Sequence, residues 1–476
     1  MKLFLAVIIS SLMLFGCKNN SNKAENQIAY LGGEIINPNT NFIILSRSNI
    51  VIDTIDLDGR NRFIKKIDNL KEGIYTFKHG NEFQIVFLEP NDSLLLRLNT
   101  IDFDESLVFT GVGAKKNNYL INDFLENEII EKSIYKYCQL NPKDYQNKLD
   151  SLSLLKKVKL NAFLKKYKPS SLFEKIAKTN NKYNYYFSKE VYPLWHHGDS
   201  KKDLLKSLPK DFYDYRKNVS YNDSLLKDYN FIYNNFLKSS FNNLALQEHF
   251  DHHKEIDNKF KRSDLCYNLD RLKLIDSLVS NPYIKDGLLY HFTVNYISKN
   301  KNLKNNEIIL NAYLNKSKDE KGKEMITRFT NSINNLKIGS QIPNVTIINY
   351  KNDELSINNL VNSPTVISFW SHTYYDHFKD NHIKINDLKR KYPEVKFISI
   401  NIDDFDIKKS KQFLESNSFS FDDEYHFKNR EASIETFAIH PMTKTILIDK
   451  NKKIANNNTN IFSRNFEEEL LGLINK

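Results

Sequence analysis

The chain shows three successive patterns of apolar and polar residues. Over residues 28–112, short runs in which apolar and polar residues alternate are separated by turn residues such as Asp58-Gly59 and Pro90-Asn91-Asp92. Alternation with a period of two, broken every ~8–12 residues, is typical of antiparallel strands in a sandwich or barrel. The first pattern therefore predicts a β-sandwich-like domain over residues 28–112.

The second pattern, over residues 113–335, has helical periodicity. Its apolar residues recur at the spacings of a single helical stripe, as in Leu120, Phe124, Leu125, Ile129 and Ile130. Proline residues punctuate the segment and mark breaks between helices. We therefore predict a helical middle region over residues 113–335, in which no repeat of fixed length is visible.

The third pattern, over residues 336–476, alternates strands and helices. Apolar runs at 365–369 and 395–400 flank a helical pattern that extends through residue 388. A helix over 407–414 then precedes two short strands at 445–448 and 452–454 and a C-terminal helix over 465–474. Parallel strands joined by a crossover helix indicate an α/β domain. The whole chain is therefore predicted to be a multidomain α+β protein.

The strand at 365–369 ends at a corner, Phe369-Trp370, from which a polar turn leads into a helix. This corner, the entry at residues 336–344 and the order of elements resemble the thioredoxin-like domains of the TlpA/ResA type, which are membrane-anchored thiol–disulfide reductases. In that family a Cys-x-x-Cys pair lies at this corner. Aligned on Phe369-Trp370, the pair falls on Tyr374-Tyr375-Asp376-His377, so both sulfurs are absent.

The first segment carries a resemblance of its own. Gly32-Gly33-Glu34-Ile35, residues 88–93 and Thr110-Gly111-Val112-Gly113 are similar to the small β domain ahead of thioredoxin-like domains in many Bacteroidota envelope lipoproteins. This resemblance implies an unassigned role in the envelope and no activity.

The altered corner removes the family's chemistry. Disulfide exchange needs a nucleophilic thiolate and a second sulfur, and a phenol with a pKa of ~10 cannot replace them. The family's cis-proline, counted back from the strand at 445–448, falls on Thr443, with Pro441 two residues earlier. Because a non-proline cis bond costs about 2.5–4 kcal/mol, we expect a trans Met442–Thr443 bond and a reshaped loop. The domain is therefore predicted to be redox-inactive.

A binding surface is the use that remains for this domain. Exposed backbone beside the corner can pair with an extended peptide, and aromatic residues near it are of the kind that anchor interfaces. The alternative is that these aromatics only fill space around the corner. The candidate surface residues are Trp370, Tyr374, Tyr375, Asp376, His377, Phe378, His440 and Thr443.

Two groups of histidines are candidates for a metal-binding or catalytic site. His372, Asp376, His377 and His440 come from two facing loops and could hold a metal or act as acid and base. No nucleophile with an evident base accompanies them, so chance histidines are favoured.

His249, His252 and His253 would share one face of a helix, where imidazoles can bind a metal. The His-Glu-x-x-His pattern is absent and no third ligand follows at close spacing. We therefore favour a solvated helix face and predict neither a metal nor a cofactor.

Residues 1–17 have the features of a lipoprotein signal. Lys2 precedes an apolar segment at 3–15 that is shorter than the ~20 residues of a spanning helix. Leu14-Phe15-Gly16-Cys17 resembles a lipobox, which implies lipidation of Cys17, and residues 18–27 form a polar tether. The alternative is a plain signal peptide with an incidental cysteine.

Charge and the remaining cysteines narrow the functions further. The net charge of +11 arises from basic residues dispersed among acidic ones, which indicates a solvated surface and no nucleic-acid partner.

Cys138 and Cys266 are distant in sequence. Both a structural bridge and two buried free thiols fit an exported protein.

The sequence thus favours a lipid-anchored envelope protein at the outer membrane, facing the periplasm. Its thioredoxin-like domain would bind another envelope protein or an extended peptide. The rival hypothesis is an enzyme, either a thiol–disulfide oxidoreductase acting through Cys138 or Cys266 or a hydrolase that uses the loop histidines.

Overall fold

The computed structural model describes residues 27–475 apart from positions 49, 81, 199, 224–229, 254–259, 373 and 404–406. The predicted signal peptide with Cys17, and most of the tether, lie outside the described residues. The chain divides into two compact units, Met1–His79 with Gln84–Asp123 and Gly80–Phe83 with Phe124–Lys476. Within the described part of the chain, no helix has the length and apolarity needed to cross a membrane.

The first unit is built from two four-stranded sheets. Its strands are β1 (Ala29–Ile36), β2 (Phe42–Arg47), β3 (Ile50–Asp56), β4 (Arg62–Ile67), β5 (Gly73–His79), β6 (Glu82–Leu88), β7 (Ser93–Asn99) and β8 (Val108–Val112). The sheet orders are β4-β1-β7-β8 and β3-β2-β5-β6. The pairs β1–β4, β2–β3, β2–β5 and β7–β8 are antiparallel, but β1 and β7 are parallel. The prediction of an antiparallel domain is therefore wrong for that one pair.

The alternation that predicted these strands is visible in their burial. On β7, Leu94, Leu96 and Leu98 are buried while Arg97 between them is exposed. Gly33 of β1 lies against Leu96, and a Cβ at position 33 would come within 2.4 Å of the Leu96 carbonyl oxygen. Glycine at this position therefore permits the close approach of the two central strands.

Helices occupy most of the chain between residues 114 and 335. They are α1 (Ala114–Tyr137), α2 (Pro142–Tyr167), α3 (Ser171–Trp195), α4 (Lys201–Ser207), α5 (Asn230–His252), α6 (Leu265–Leu278), α7 (Pro282–Lys299), α8 (Leu303–Lys316) and α9 (Glu320–Asn335), with a 3-10 turn at Asp214–Asn218. Several begin at a side-chain cap: Asn141, Ser170 and Asn281 each accept a hydrogen bond from the backbone N–H three residues on. The predicted helical periodicity is confirmed here.

The last segment forms a seven-stranded sheet with helices on it. Its strands are β9 (Thr346–Asn349), β10 (Glu354–Ser356), β11 (Thr365–Trp370), β12 (Lys396–Asn401), β13 (Glu424–Phe427), β14 (Thr445–Ile448) and β15 (Ile454–Thr459). Its helices are α10 (Ile357–Leu360), α11 (Tyr375–Lys391), α12 (Ile407–Ser416), α13 (Arg430–Thr436) and α14 (Phe466–Ile474).

The order of this sheet is β10-β9-β13-β12-β11-β14-β15. Strands β11, β12 and β13 run parallel, and β14 and β15 follow as antiparallel neighbours of β11 and of each other. Helix α11 is the crossover between β11 and β12. The predicted thioredoxin-like order is confirmed, whereas β13 and α13 were not predicted.

Both faces of this sheet are buried, and they belong to different cores. On one face, residues of the sheet share a core with α3 and α5–α9, which includes Phe236, Leu289, Ile297, Ile367, Phe369 and Ile446. On the other face, α11 and α14 cover the sheet in a core that includes Val366, Ile385, Leu388, Leu447 and Phe466. The helical segment and the sheet are therefore packed together within the second unit.

Candidate functional site at the strand-to-helix corner

The corner lies where β11 ends and α11 begins. All six residues of β11 are buried, so the strand holds the corner rigidly. Tyr374 immediately precedes the first turn of α11, has φ −115° and makes no side-chain cap to that helix. The residues aligned with the Cys-x-x-Cys pair are thus at a helix N-terminus, as the resemblance implied.

Two tyrosines form the exposed part of the corner. Tyr374 is 54% exposed and Tyr375 is 38% exposed. The Tyr375 hydroxyl donates a 2.8 Å hydrogen bond to the Asn417 side-chain oxygen, and Asp376 is exposed in the first turn of α11. An exposed phenol therefore occupies the position where the family resemblance puts a nucleophilic sulfur.

Trp370 and Phe378 are interior residues. Both side chains are fully buried, with ring centroids 4.9 Å apart, and they form a small core with Leu414. Phe413 and Phe419 pack around this core. The prediction that Trp370 and Phe378 contribute to a binding surface is therefore wrong, because burial leaves them unable to touch a partner. They fill the space beneath the corner.

A buried polar chain runs behind Trp370. The indole Nε1 donates a 2.9 Å hydrogen bond to one oxygen of Glu424, whose other oxygen lies 3.2 Å from Nε2 of His382. Nδ1 of His382 lies 2.7 Å from the Phe378 carbonyl oxygen, which can only accept. Nδ1 therefore donates to that carbonyl, and Nε2 is the ring nitrogen that faces Glu424. Sequence reasoning missed both residues.

His372, just after β11, is bound to Asp403. Its Nδ1 and its backbone N–H lie 2.5 Å and 2.6 Å from one oxygen of Asp403, and the Ser371 hydroxyl donates to the other at 2.6 Å. Burial would raise the pKa of the Asp403 carboxyl, but the hydrogen bonds from His372 and Ser371 outweigh it and lower that pKa. Asp403 is therefore a carboxylate that orients the His372 ring.

His426 of β13 lies near this pair. Burial, followed by the positive field of His372, lowers the pKa of His426 to about 4. Its ring meets Tyr350 edge to face at 5.0 Å. His426 is therefore a neutral buried imidazole, and its position on an unpredicted strand explains why the sequence did not associate it with the corner.

The other predicted site residues have separate neighbours. The ring of His377 lies 6.0 Å from Phe462, and burial, then the charge of His382, lowers its pKa. The ring of His440 meets Phe329 edge to face at 6.0 Å, and burial, then Lys299, lowers its pKa. Thus, among the contacts of the described residues, His372, Asp376, His377 and His440 do not come together as a metal or acid–base site, which was the less favoured of the two interpretations.

The loop before β14 contains a cis peptide bond, but not at the position counted back from the strand. Among the described residues the cis peptide bond is His440–Pro441, two residues before Thr443, and the Met442–Thr443 bond is trans as expected. Thr443 is partly exposed, and the next residue, Lys444, is buried.

The two thiols of the described chain lie elsewhere. Cys138 is fully buried beside Tyr145 and Tyr192, and burial raises the pKa of its thiol to about 12. Cys266 is partly buried on α6, and burial, followed by Asp270, raises its pKa as well. Both cysteines are free. Neither is a thiolate at neutral pH, so neither has the reactivity of a redox cysteine.

The three-histidine group on α5 is not the solvated face that the sequence favoured. His249 is only 8% exposed, and a residue that sequence reasoning did not include, Cys266 of α6, lies beside His252 and His253. Because Cys266 belongs to a different helix, no spacing in the sequence indicates this contact.

The strand order and the corner together define a thioredoxin-like fold for this domain. Solved structures similar to this chain include a protein described as a thiol-disulfide oxidoreductase from Bacteroides vulgatus, at 19% identity over 29% of this chain and 97% of that one, with a TM-score of 0.26. A protein described as the thiol:disulfide interchange protein DsbE from Chlorobium tepidum matches at 15% identity over 29% of this chain and 99% of that one, also with a TM-score of 0.26. The thioredoxin domain of a second Bacteroides vulgatus oxidoreductase gives 15% identity, the same coverage and a TM-score of 0.25.

No protein-family model matches the chain. No curated protein matches it either. The assignment of the fold therefore rests on the strand order itself.

Proposed function

We propose that this chain is a membrane-anchored envelope lipoprotein whose thioredoxin-like domain binds another envelope protein or an extended peptide without exchanging disulfides. The observation that carries the proposal is the exposed phenol of Tyr374 at the start of α11, where a redox enzyme of this fold needs a thiolate. A phenol at that position can form contacts but cannot form a mixed disulfide.

The thiols support the same proposal. A reactive cysteine requires a lowered pKa and access to solvent. Cys138 is fully buried with its pKa raised to about 12, and the pKa of Cys266 is raised too. An oxidoreductase that worked through either residue would have to operate with a protonated thiol.

The surface proposed for binding consists of Tyr374, His377 and Phe462, with Tyr375 beside them; we call it the corner surface. Tyr374 and His377 are three residues apart at the start of α11, and the ring of His377 lies 6.0 Å from Phe462, which is 43% exposed. Aromatic residues of this kind bury a large area at low conformational cost and are enriched at interfaces. The corner surface is supported by a rigid interior of Trp370 and Phe378.

The anchor is proposed from the sequence of residues 1–17, which carry the apolar segment and the Gly16-Cys17 end of a lipobox. Lipidation of Cys17 would hold the chain at a membrane without a spanning helix. Outer-membrane attachment facing the periplasm is part of the proposal. Its test is the distribution of a Cys17→Ser variant between membrane and soluble fractions: the variant should become soluble, and persistent membrane attachment would overturn the anchor.

A hydrolase is the second candidate, favoured by the Asp403–His372 pair. A carboxylate that orients an imidazole supplies two of the three members of a catalytic triad, the base and the residue that orients it. The Ser371 hydroxyl, next to His372 in the chain, donates to Asp403. The carboxylate thus holds this hydroxyl, and the binding proposal is preferred.

Site-specific photocrosslinking in intact cells tests the binding proposal. A photoreactive residue at position 374 should yield defined adducts that a Phe462→Ala substitution reduces. The matched control is position 283, since Tyr283 on α7 is 58% exposed, close to the 54% of Tyr374. Equal adducts from both positions would reject the corner surface as the binding site.

An insulin-reduction assay separates the proposed function from the enzymatic rival. The full-length protein should give no rate above buffer. A rate that disappears in the Cys138→Ala, Cys266→Ala double variant would show that the protein is an oxidoreductase and would overturn the proposal.

A further inference from the structure

The end of α5 and the start of α6 bring together four side chains with nitrogen or sulfur donor atoms. His249 and His252 lie in the last turn of α5, His253 follows that turn directly, and Cys266 lies in the first turn of α6. One donor atom from each residue lies within 4.8 Å of the donor atoms of the other three. Sγ of Cys266 is 3.2 Å from Nε2 of His253 and 4.0 Å from Nε2 of His252.

These separations suit a tetrahedral metal ion. Zinc binds imidazole nitrogen at about 2.0–2.1 Å and thiolate sulfur at about 2.3 Å, which puts neighbouring donor atoms roughly 3.3–3.6 Å apart. Small side-chain rotations would bring donors that lie within 4.8 Å of one another into this range. A backbone hydrogen bond of 3.0 Å from the His253 N–H to the His249 carbonyl continues the helical geometry through His253, so the donors share one face.

A nitrogen at this cluster lacks a partner. The His249 residue is only 8% exposed. Its Nδ1 atom is buried and has no hydrogen-bond partner among the described residues. Leaving a buried polar atom unsatisfied is unfavourable. The unpartnered imidazole nitrogen is of the kind that binds metal ions.

The surroundings resemble the outer shell of a metal site. Asp270, one turn after Cys266, has a carboxylate oxygen 2.9 Å from Nε2 of His252, 3.8 Å from Sγ of Cys266 and 3.9 Å from Nδ1 of His249. A carboxylate this close to the donor atoms adds negative charge that favours a bound cation. Phe260, whose ring lies 5.6 Å from that of His249, contributes an apolar wall.

We propose that His249, His252, His253 and Cys266 bind one zinc ion that joins α5 to α6, with Asp270 as the outer carboxylate. Four protein ligands leave no open position, so the site is structural and not catalytic. Binding releases the Cys266 thiol proton to solvent as the sulfur–zinc bond forms, and no electron is transferred. The site is separate from the corner surface and does not depend on the function proposed for it.

The experiment uses the full-length protein, purified without a histidine tag and titrated with Zn²⁺ or Co²⁺ alone. We expect one ion per chain by elemental analysis, a higher melting temperature with Zn²⁺, and a thiolate-to-cobalt charge-transfer band with Co²⁺. A stoichiometry well below one in the presence of excess Zn²⁺ would overturn the proposal.

Two variants and two matched controls identify the ligands. Cys266→Ser should abolish the charge-transfer band, and His253→Gln, at a partly exposed position, should weaken Zn²⁺ binding at least tenfold. Cys138→Ser removes the other described thiol and His197→Gln removes an exposed histidine, and both should bind as the wild type does. Unchanged Zn²⁺ affinity in the Cys266→Ser, His253→Gln double variant would reject this site.

Discussion

The indole nitrogen of Trp370 donates a 2.9 Å hydrogen bond to the carboxylate of Glu424, and both side chains are buried beneath the corner. Trp370 ends β11 and Glu424 begins β13, so the bond spans the intervening strand β12. On its other side, Glu424 contacts His382 of α11. One carboxylate thus ties two strands and the crossover helix together.

Replacing Glu424 with alanine should destabilise the protein by about 3 kcal/mol, because it leaves a buried indole N–H without its acceptor and removes the carboxylate that faces the buried His382 ring. Glu424→Gln should cost less, since the amide oxygen can still accept from Trp370. Urea unfolding followed by tryptophan fluorescence measures both changes. Glu354→Ala, which removes an exposed partner of Lys428, should change the stability by less than about 1 kcal/mol. Equal losses of stability in the two alanine variants would show that buried Glu424 contributes no more to stability than the exposed Glu354–Lys428 ion pair.

Sequence patterns predicted the elements whose residues are uniformly apolar or regularly periodic. Strand β11 and helix α11 belong to that group. Strand β13 escaped prediction because Glu424 and His426 make up half of its four residues. Glu424 is buried against Trp370 of β11 and His382 of α11, and His426 against Tyr350, and no local sequence window contains these neighbours. The same reasoning explains why the aromatic run at the corner divides into buried Trp370 and exposed Tyr374.

The contact between the α5 histidines and Cys266 could not be predicted from the sequence for a related reason. His253 and Cys266 meet because two helices pack side by side, and the 13-residue separation between them matches no metal-binding pattern. The periodicity did put the three histidines on one helical face. It could not indicate that His249 points inward, since that depends on the position of α6.

His426 predicts a loss of stability in mild acid. Its pKa is about 4 in the folded protein and 6.5 ordinarily, so between these values the unfolded chain binds more protons than the folded one. Stability should therefore fall as the pH decreases from about 6.5 to about 4. A His426→Phe variant should lose less stability than the wild type over this range, measured from urea midpoints at pH 6.5 and pH 4.5. His197→Gln, an exposed histidine variant, should follow the wild type, and a His426→Phe variant that does so as well would contradict the argument.

Because Lys444 is buried, we expect the folded protein to become more stable in mild alkali. Burial lowers its pKa from 10.5 to about 7, and its ammonium group donates to the carbonyls of Phe437 and Ala438. Between these two pKa values the unfolded chain again binds more protons, so stability should rise with pH, by at most about 1.4 kcal/mol per pH unit. Lys444→Met should remove most of this rise between pH 7 and pH 9. Exposed Lys450→Met is the control, and a rise that persists unchanged in Lys444→Met would exclude Lys444 as its source.

Restoring the sulfur pair should restore disulfide exchange. In the double variant Tyr374→Cys, His377→Cys, the first cysteine stands at the N-terminus of α11, where the helix dipole lowers a thiol pKa. Positions three residues apart at the start of a helix have Cα atoms roughly 5–6 Å apart, within the range that a disulfide spans. We expect the double variant to reduce insulin at a rate well above the wild type, measured by turbidity in the presence of dithiothreitol.

The single variants show whether activity depends on the two sulfurs or on the geometry of the corner. Tyr374→Cys alone should form mixed disulfides that are not resolved, and His377→Cys alone should be inactive, because exchange needs an attacking and a resolving sulfur. Activity in the double variant alone would show that the corner keeps the geometry of an oxidoreductase and lacks only its sulfurs. If the double variant forms its disulfide yet stays inactive, the missing sulfurs are not the whole cause.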